Sequence, residues 1–227
     1  MRVGPDDEGS GAALEAAVAA VAALDPAPDA VLLSGDLAEH ADPREYERVR
    51  ELLAPLSMPV HAIPGNHDDP EAVTAWYAAD CGQLRLVACD STVPGSDGGA
   101  FGPDRLERLE GLLAEESSTP TIVAMHHPPV DIGVEAADAI GLPREDRVAL
   151  GELLSRHPEV LRVATGHVHR GAAGRVGSCP VFTCPSTWRQ GALDLRPGVP
   201  LQLSEDAPAF ALHVLVDGEV ASHIQPI

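Results

Sequence analysis

The chain has 227 residues, 44% of them hydrophobic, enough for one sizeable core without requiring a second domain. Its formal net charge is −20 and all 15 basic residues are arginine, so no basic stripe offers itself to a nucleic-acid polymer or an anionic lipid surface. No apolar run approaches the roughly 18–20 residues that cross a membrane, and the opening MRVGPDDEGSGAAL lacks the apolar stretch of a secretory signal.

Taken in order, the pattern alternates helix and strand. GAALEAAVAAVAAL sets Leu14, Val18, Val21 and Leu24 on one helical face, and PDAVLLSGD reads as a short buried strand opening into Gly35-Asp36. PREYERVRELLAPL is an amphipathic helix with Pro43 near its start, and PVHAIPGNHDD is the next strand and its exit loop. EAVTAWYAAD is expected to be a helix and QLRLVACDST a strand. PDRLERLEGLLAEE is a helix with Leu106, Leu109, Leu112 and Leu113 in register.

The strand TPTIVAMHHPP follows, then a long loop whose segment from Val130 to Arg144 is expected to shape a pocket, the helix RVALGELLSRH and the strand VLRVATGHVHR. From Arg175 onward only strands are expected, the last two joined at Asp217-Gly218 as a hairpin. There is no internal repeat and no linker, so residues 1–227 are expected to form one α/β domain. Cys81, Cys89, Cys179 and Cys184 form no CxxC pair and read as free thiols of a cytoplasmic protein.

Four strand exits end in polar clusters: Gly35-Asp36, Gly65-Asn66-His67-Asp68, His126-His127 and Gly166-His167-Val168-His169. Each alone is an ordinary turn or loop. Ligands of α/β sheets bind beyond the carboxyl ends of strands, so the four can converge on one place. Together they offer oxygen and nitrogen donors that suit Mn, Fe or Zn. His127 reads as a loop residue beside His126. Arg170 and Arg189 read as surface arginines and Trp188 and Phe101 as packing residues, with substrate contact the alternative for all four.

The order GD, GNHD, HH, GHxH resembles the calcineurin-like metallophosphoesterases. VLLSGDLAEH, IPGNHDD, CDSTVPG and GHVHR…PST are similar to their cyclic nucleotide phosphodiesterase branch. The resemblance implies a four-layer α-β-β-α sandwich of two mixed sheets flanked by helices, around a pair of divalent metals (Mn, Fe or Zn). It implies that Asp36 bridges the two metals, that Asn66, His126 and His167 complete one site, and that His169 serves the other. His67 would be the general acid, with Asp68 orienting its ring, while a metal-bound hydroxide attacks phosphorus. The implied substrate is a small anionic phosphodiester, 3′,5′-cyclic AMP first. A broader phosphoesterase, acting on glycerophosphodiesters, nucleotide pyrophosphates or phosphomonoesters, is the alternative, and a non-catalytic metal-binding relative is the third reading. A homodimer is compatible with all of these.

One departure stands out. The family's first strand carries a D-x-H whose residues ligate the metal that His169 serves, and no D-x-H precedes Asp36. Asp6 and Asp7 are weak substitutes, with no strand before them. The expectation is a first strand missing because the start lies too far downstream, which leaves one metal site complete, the other short of two ligands, and sheet edges uncovered.

Overall fold

The computed structural model describes residues 8–227; Asp6 and Asp7 lie outside them. In chain order the elements are α1 (Glu8–Ala22), β1 (Val31–Leu33), α2 (Pro43–Leu53), β2 (Val60–Ala62), β3 (Tyr77–Cys81), β4 (Leu84–Ala88), α3 (Pro103–Ala114), β5 (Thr121–Met125), α4 (Glu135–Asp138), α5 (Arg144–Leu154), β6 (Val160–Thr165), β7 (Ala172–Val176), β8 (Cys179–Thr183), β9 (Gln190–Gly191), β10 (Leu203–Ser204), β11 (Ala209–Val216) and β12 (Glu219–Pro226).

The centre is a six-stranded mixed sheet in the order β3-β4-β5-β6-β8-β7. Its inner strands are largely buried on both faces, and alternation sends successive residues to opposite layers. Val87, Val123, Met125 and Val163 pack with Leu109 and Leu113 of α3 and Leu150 and Leu154 of α5. Their neighbours Leu86, Ala88, Ile122, Ala124 and Ala164 pack the other way, against Leu32 of β1, Ile63 after β2, Leu215 of β11 and Val220 of β12. Beyond β1, Leu14 and Val18 of α1 meet Val49 and Leu52 of α2. The layers therefore run helix, sheet, strands, helix, as expected.

The second strand layer is divided rather than continuous. Among the described residues β1 pairs only with β2, in parallel, and β11 only with β12, antiparallel. Between α1, β1 and β11 lies a groove of about 650 Å³, lined by apolar side chains such as Val18, Leu32, Ile122 and Leu215. Its far end reaches Asp36, His167 and His169.

Two expectations are corrected. EAVTAWYAAD is not a helix: Tyr77–Cys81 is a strand paired antiparallel to β4 across a tight turn at Gly82 (φ 65°). The Tyr77 hydroxyl fixes it, donating to the Ala62 carbonyl and accepting from the Ala62 N–H. The loop after β5 is also not structureless. It contains α4, and the Asp138 carboxylate accepts from the N–H groups of Ile132 and Gly133 at 2.7 and 3.0 Å.

Candidate metal centre

Each site residue sits just past a strand of the two sheet layers. Asp36 follows β1, Asn66 and His67 follow β2, His126 follows β5, and His167 and His169 follow β6. The chain must turn sharply at these exits. Asp36, His167 and His169 take the left-handed conformation (φ 56°, 68° and 50°), one that Asp and His tolerate better than most residues. Gly65 has no alternative, because a Cβ there would overlap Asp36 Oδ1.

Four side chains converge. Asn66 Oδ1 lies 3.2 Å from His126 Nε2 and 3.2 Å from His167 Nδ1, and the two ring nitrogens are 3.2 Å apart. Asp36 Oδ1 is 3.5 Å from His126 Nε2. Asp36 and His126 are each 1% exposed, so solvent does little to separate them.

The proton inventory shows why a cation fits. His126 Nδ1 faces the Ser34 carbonyl at 2.7 Å, so Nδ1 carries the hydrogen and Nε2 presents its lone pair to the centre. Asn66 Oδ1 and the Asp36 carboxylate are acceptors as well. Three acceptors crowd one point, and a divalent ion is what such a cluster of oxygen and imidazole donors suits. The histidines are held neutral, the state in which an imidazole can take up a metal ion. Burial first of all lowers the pKa of His126 to about 4, opposed by Asp36, and that of His167 to about 3, helped by its neighbour His126.

His67 stands beside the cluster. Its N–H donates to Asp36 Oδ1 at 3.2 Å, and its ring Nδ1 lies 3.3 Å from the Glu39 carbonyl and 4.0 Å from the Glu39 carboxylate. Nδ1 therefore carries the hydrogen and Nε2 is left for other work.

Asp68 does not orient that ring, contrary to the sequence expectation. Its Oδ1 accepts from Leu37 N and Ala38 N at 2.9 and 3.0 Å, and its Oδ2 from Gly65 N at 2.8 Å. A carboxylate one residue past His67 meets the turn amides before it can reach back to the imidazole, so Asp68 ties the β1 and β2 exits together. Burial raises its pKa, the three amides oppose this, and Asp36 adds to the rise.

His169 lines the groove end together with Asp36. His127 is not a loose loop residue; it is fully buried between Ser91 and Asp97. Phe101 is core, Arg170 donates to the Gly191 carbonyl at 2.9 Å, and Arg189 lies over the Trp188 ring. Sequence reasoning missed Ser34 and Glu39, which act through backbone carbonyls that no side-chain pattern reports.

The Calcineurin-like phosphoesterase family matches residues 7–171. The chain belongs to that family. Members use divalent metals, generally in pairs, and the donor cluster described above falls within the matched region. A probable cyclic nucleotide phosphodiesterase of a Synechococcus strain is 39% identical over 176 residues, covering 72% of this chain and 66% of that one. A probable glycerophosphodiester phosphodiesterase GpdQ of Arcobacter nitrofigilis is 31% identical over 204 residues, covering 84% of this chain and 74% of the other. Among solved structures, a dimetal phosphatase from Danio rerio superposes with a TM-score of 0.70 at 17% identity, over 96% of this chain and 87% of its own. That likeness concerns the fold.

Proposed function

We propose that the chain is a metal-dependent hydrolase of small phosphodiesters, with 3′,5′-cyclic AMP the leading substrate. The reading rests on the convergence of Asp36, Asn66, His126 and His167 on one point, three acceptors of which have no hydrogen to share. These four would hold one cation, Mn, Fe or Zn, and Asp36 with His169 would face a second position at the groove end. Divalent cations in such a site polarise phosphoryl oxygens and lower the pKa of water.

The protein's own contribution is positioning and proton transfer. Asp68 fixes the two exit loops, so that the His67 N–H and the Asp36 carboxylate keep their spacing. The Glu39 carbonyl holds the His67 ring with Nδ1 protonated, which leaves Nε2 to carry a proton to a departing alkoxide. Asp138, Ala139, Leu142 and Arg144, with Val93 and Gly98, line a cleft of about 380 Å³ beside the loop that bears Asp97, and this cleft would receive the substrate body. The four free cysteines support the cytoplasm as the compartment.

A broader diesterase is the second reading, favoured by the likeness to a protein named as a glycerophosphodiester phosphodiesterase. The deciding experiment is hydrolysis of bis-p-nitrophenyl phosphate with added Mn, followed by a panel of cyclic AMP, cyclic GMP, 2′,3′-cyclic nucleotides and glycerophosphodiesters. Turnover that disappears with chelator and returns with Mn is expected. No turnover in Mn, Fe or Zn would overturn the hydrolase reading.

A further inference from the structure

One ring nitrogen from each of His126, His127 and His167 lies within 4.8 Å of the other two, an arrangement with the outward form of a three-histidine metal site. The hydrogen bonds of His127 exclude it from that role. Its Nε2 lies 3.1 Å from the main-chain carbonyl of Asp97, which can only accept, so Nε2 carries the hydrogen. Its backbone N–H donates to Ser91 Oγ at 3.1 Å, and that hydroxyl lies 2.9 Å from His127 Nδ1, so the hydroxyl hydrogen goes to Nδ1. Every hydrogen is assigned and neither ring nitrogen has a lone pair to give.

The ring instead touches the residues that do. It lies 4.5 Å from the His167 ring, centroid to centroid, and 4.9 Å edge-on from His126. On the opposite side the backbone of Gly99 covers it so closely that a Cβ there would stand 2.6 Å from Nδ1. The covering loop is pinned further by Ala100 N donating to the Ser91 carbonyl at 3.0 Å. At Asp97 it reaches Asn66, whose Nδ2 is 3.5 Å from Asp97 Oδ1. The amide nitrogen of Asn66 is thereby turned outward and its oxygen toward His126 and His167.

We propose that His127 is a positioning residue, locked as one neutral tautomer between Ser91 and the Asp97 carbonyl, which braces the His167 ring and holds the 91–99 loop against Asn66. It rests on the metal reading of the Asp36, Asn66, His126 and His167 cluster. Hydrogen-bonded partners of metal ligands are worth about 10–100-fold in metal affinity, and a residue that braces a ring by contact is expected at the lower end of that range.

The test uses Zn, by titration calorimetry and by long-range proton–nitrogen spectra of the histidine rings at pH 7.5. In the unaltered chain His127 is expected to show the Nε2–H pattern both before and after Zn, while the ring signals of His126 and His167 move. Ser91→Ala and His127→Phe are expected to bind Zn about tenfold or more weakly. His127→Gln, which restores a donor toward the Asp97 carbonyl, is expected to recover part of that loss. Asp97→Ala keeps the carbonyl and is expected to cost less than His127→Phe.

A Zn-induced shift of the His127 nitrogens would overturn the proposal. So would a folded Ser91→Ala chain, its melting curve unchanged, that binds Zn as tightly as the unaltered one. If the unaltered chain takes up no Zn, the metal reading of the cluster falls and the proposal with it; uptake that the variants leave untouched overturns the proposal alone.

Discussion

His126 Nε2 lies 3.2 Å from Asn66 Oδ1, and both atoms present lone pairs. The two residues leave different strands of different sheet layers, so the contact depends on the whole packing between β2 and β5. Without a cation such a pair is mutually repulsive, and ion binding should stabilise the fold. Melting the chain with Mn at about 100 times its dissociation constant should show about 2.7 kcal/mol of added stability. His126→Ala should remove that increment. One strongly bound ion per chain is the expected stoichiometry, because four side chains converge on one point.

His67 gives a prediction that depends on the leaving group. A proton donor matters for an alkoxide and hardly at all for p-nitrophenolate, which leaves unaided. His67→Ala should lower kcat on cyclic AMP by about 10²–10⁴-fold, cost little on bis-p-nitrophenyl phosphate, and leave Mn affinity nearly unchanged. An equal loss on both substrates would remove the acid role.

Asp68 makes its contribution to the fold rather than to the proton. Its carboxylate accepts three backbone N–H bonds from two loops. Bonds to a charged group contribute roughly 1.5–3 kcal/mol each before non-additivity, so Asp68→Ala should cost several times what a surface change costs. Urea unfolding of the metal-free variant measures this. A variant with unchanged stability and a displaced His67 pH profile would restore the orienting role instead.

The pH dependence of the metal-free chain has a definite sign. His126, His127 and His213 are held neutral chiefly by burial, with pKa values lowered to about 4, about 3 and about 4, and His167 is lowered to about 3. Unfolded, each takes up a proton near the ordinary histidine value of about 6.5. The unfolded chain therefore binds more protons in this window. The stability these groups contribute is complete above about 6.5 and declines as pH falls toward their folded values. Urea midpoints in chelator should drop steadily from pH 7.5 to 5.

The groove between β1 and β11 should bind an apolar dye in the native state. Anilinonaphthalene sulfonate fluorescence is expected in the folded chain at pH 7.5. Ala211→Glu, which places a charge of the same sign as the dye's sulfonate on the groove wall, should reduce it without altering Zn affinity.

Much of this was legible in the sequence because short polar clusters at the ends of apolar runs are local signals. Asp36, Asn66, His126 and His167 could each be placed at a strand exit from residue type alone. What stayed hidden was set by distant partners. Tyr77–Cys81 carries alanines suited to a helix, yet pairing with β4 and the Tyr77 hydroxyl on Ala62 make it a strand. The partners of His67 and Asp68 are main-chain groups, so the sequence offers no residue type by which to foresee them. His127 resembled a loop residue until the Ser91 hydroxyl and the Gly99 backbone enclosed it.

The left-handed backbone at Asp36, His167 and His169 has a kinetic consequence. Outside glycine, that conformation costs on the order of 1 kcal/mol per residue, and here the sheet packing absorbs the cost when the chain folds. If these side chains are the donors, their backbone is already set by folding, and an arriving ion is expected to find little loop to reorganise. Loading should be limited by the encounter and by the shedding of water from the ion, and its rate should track the ion's water-exchange rate, with Mn entering faster than Ni.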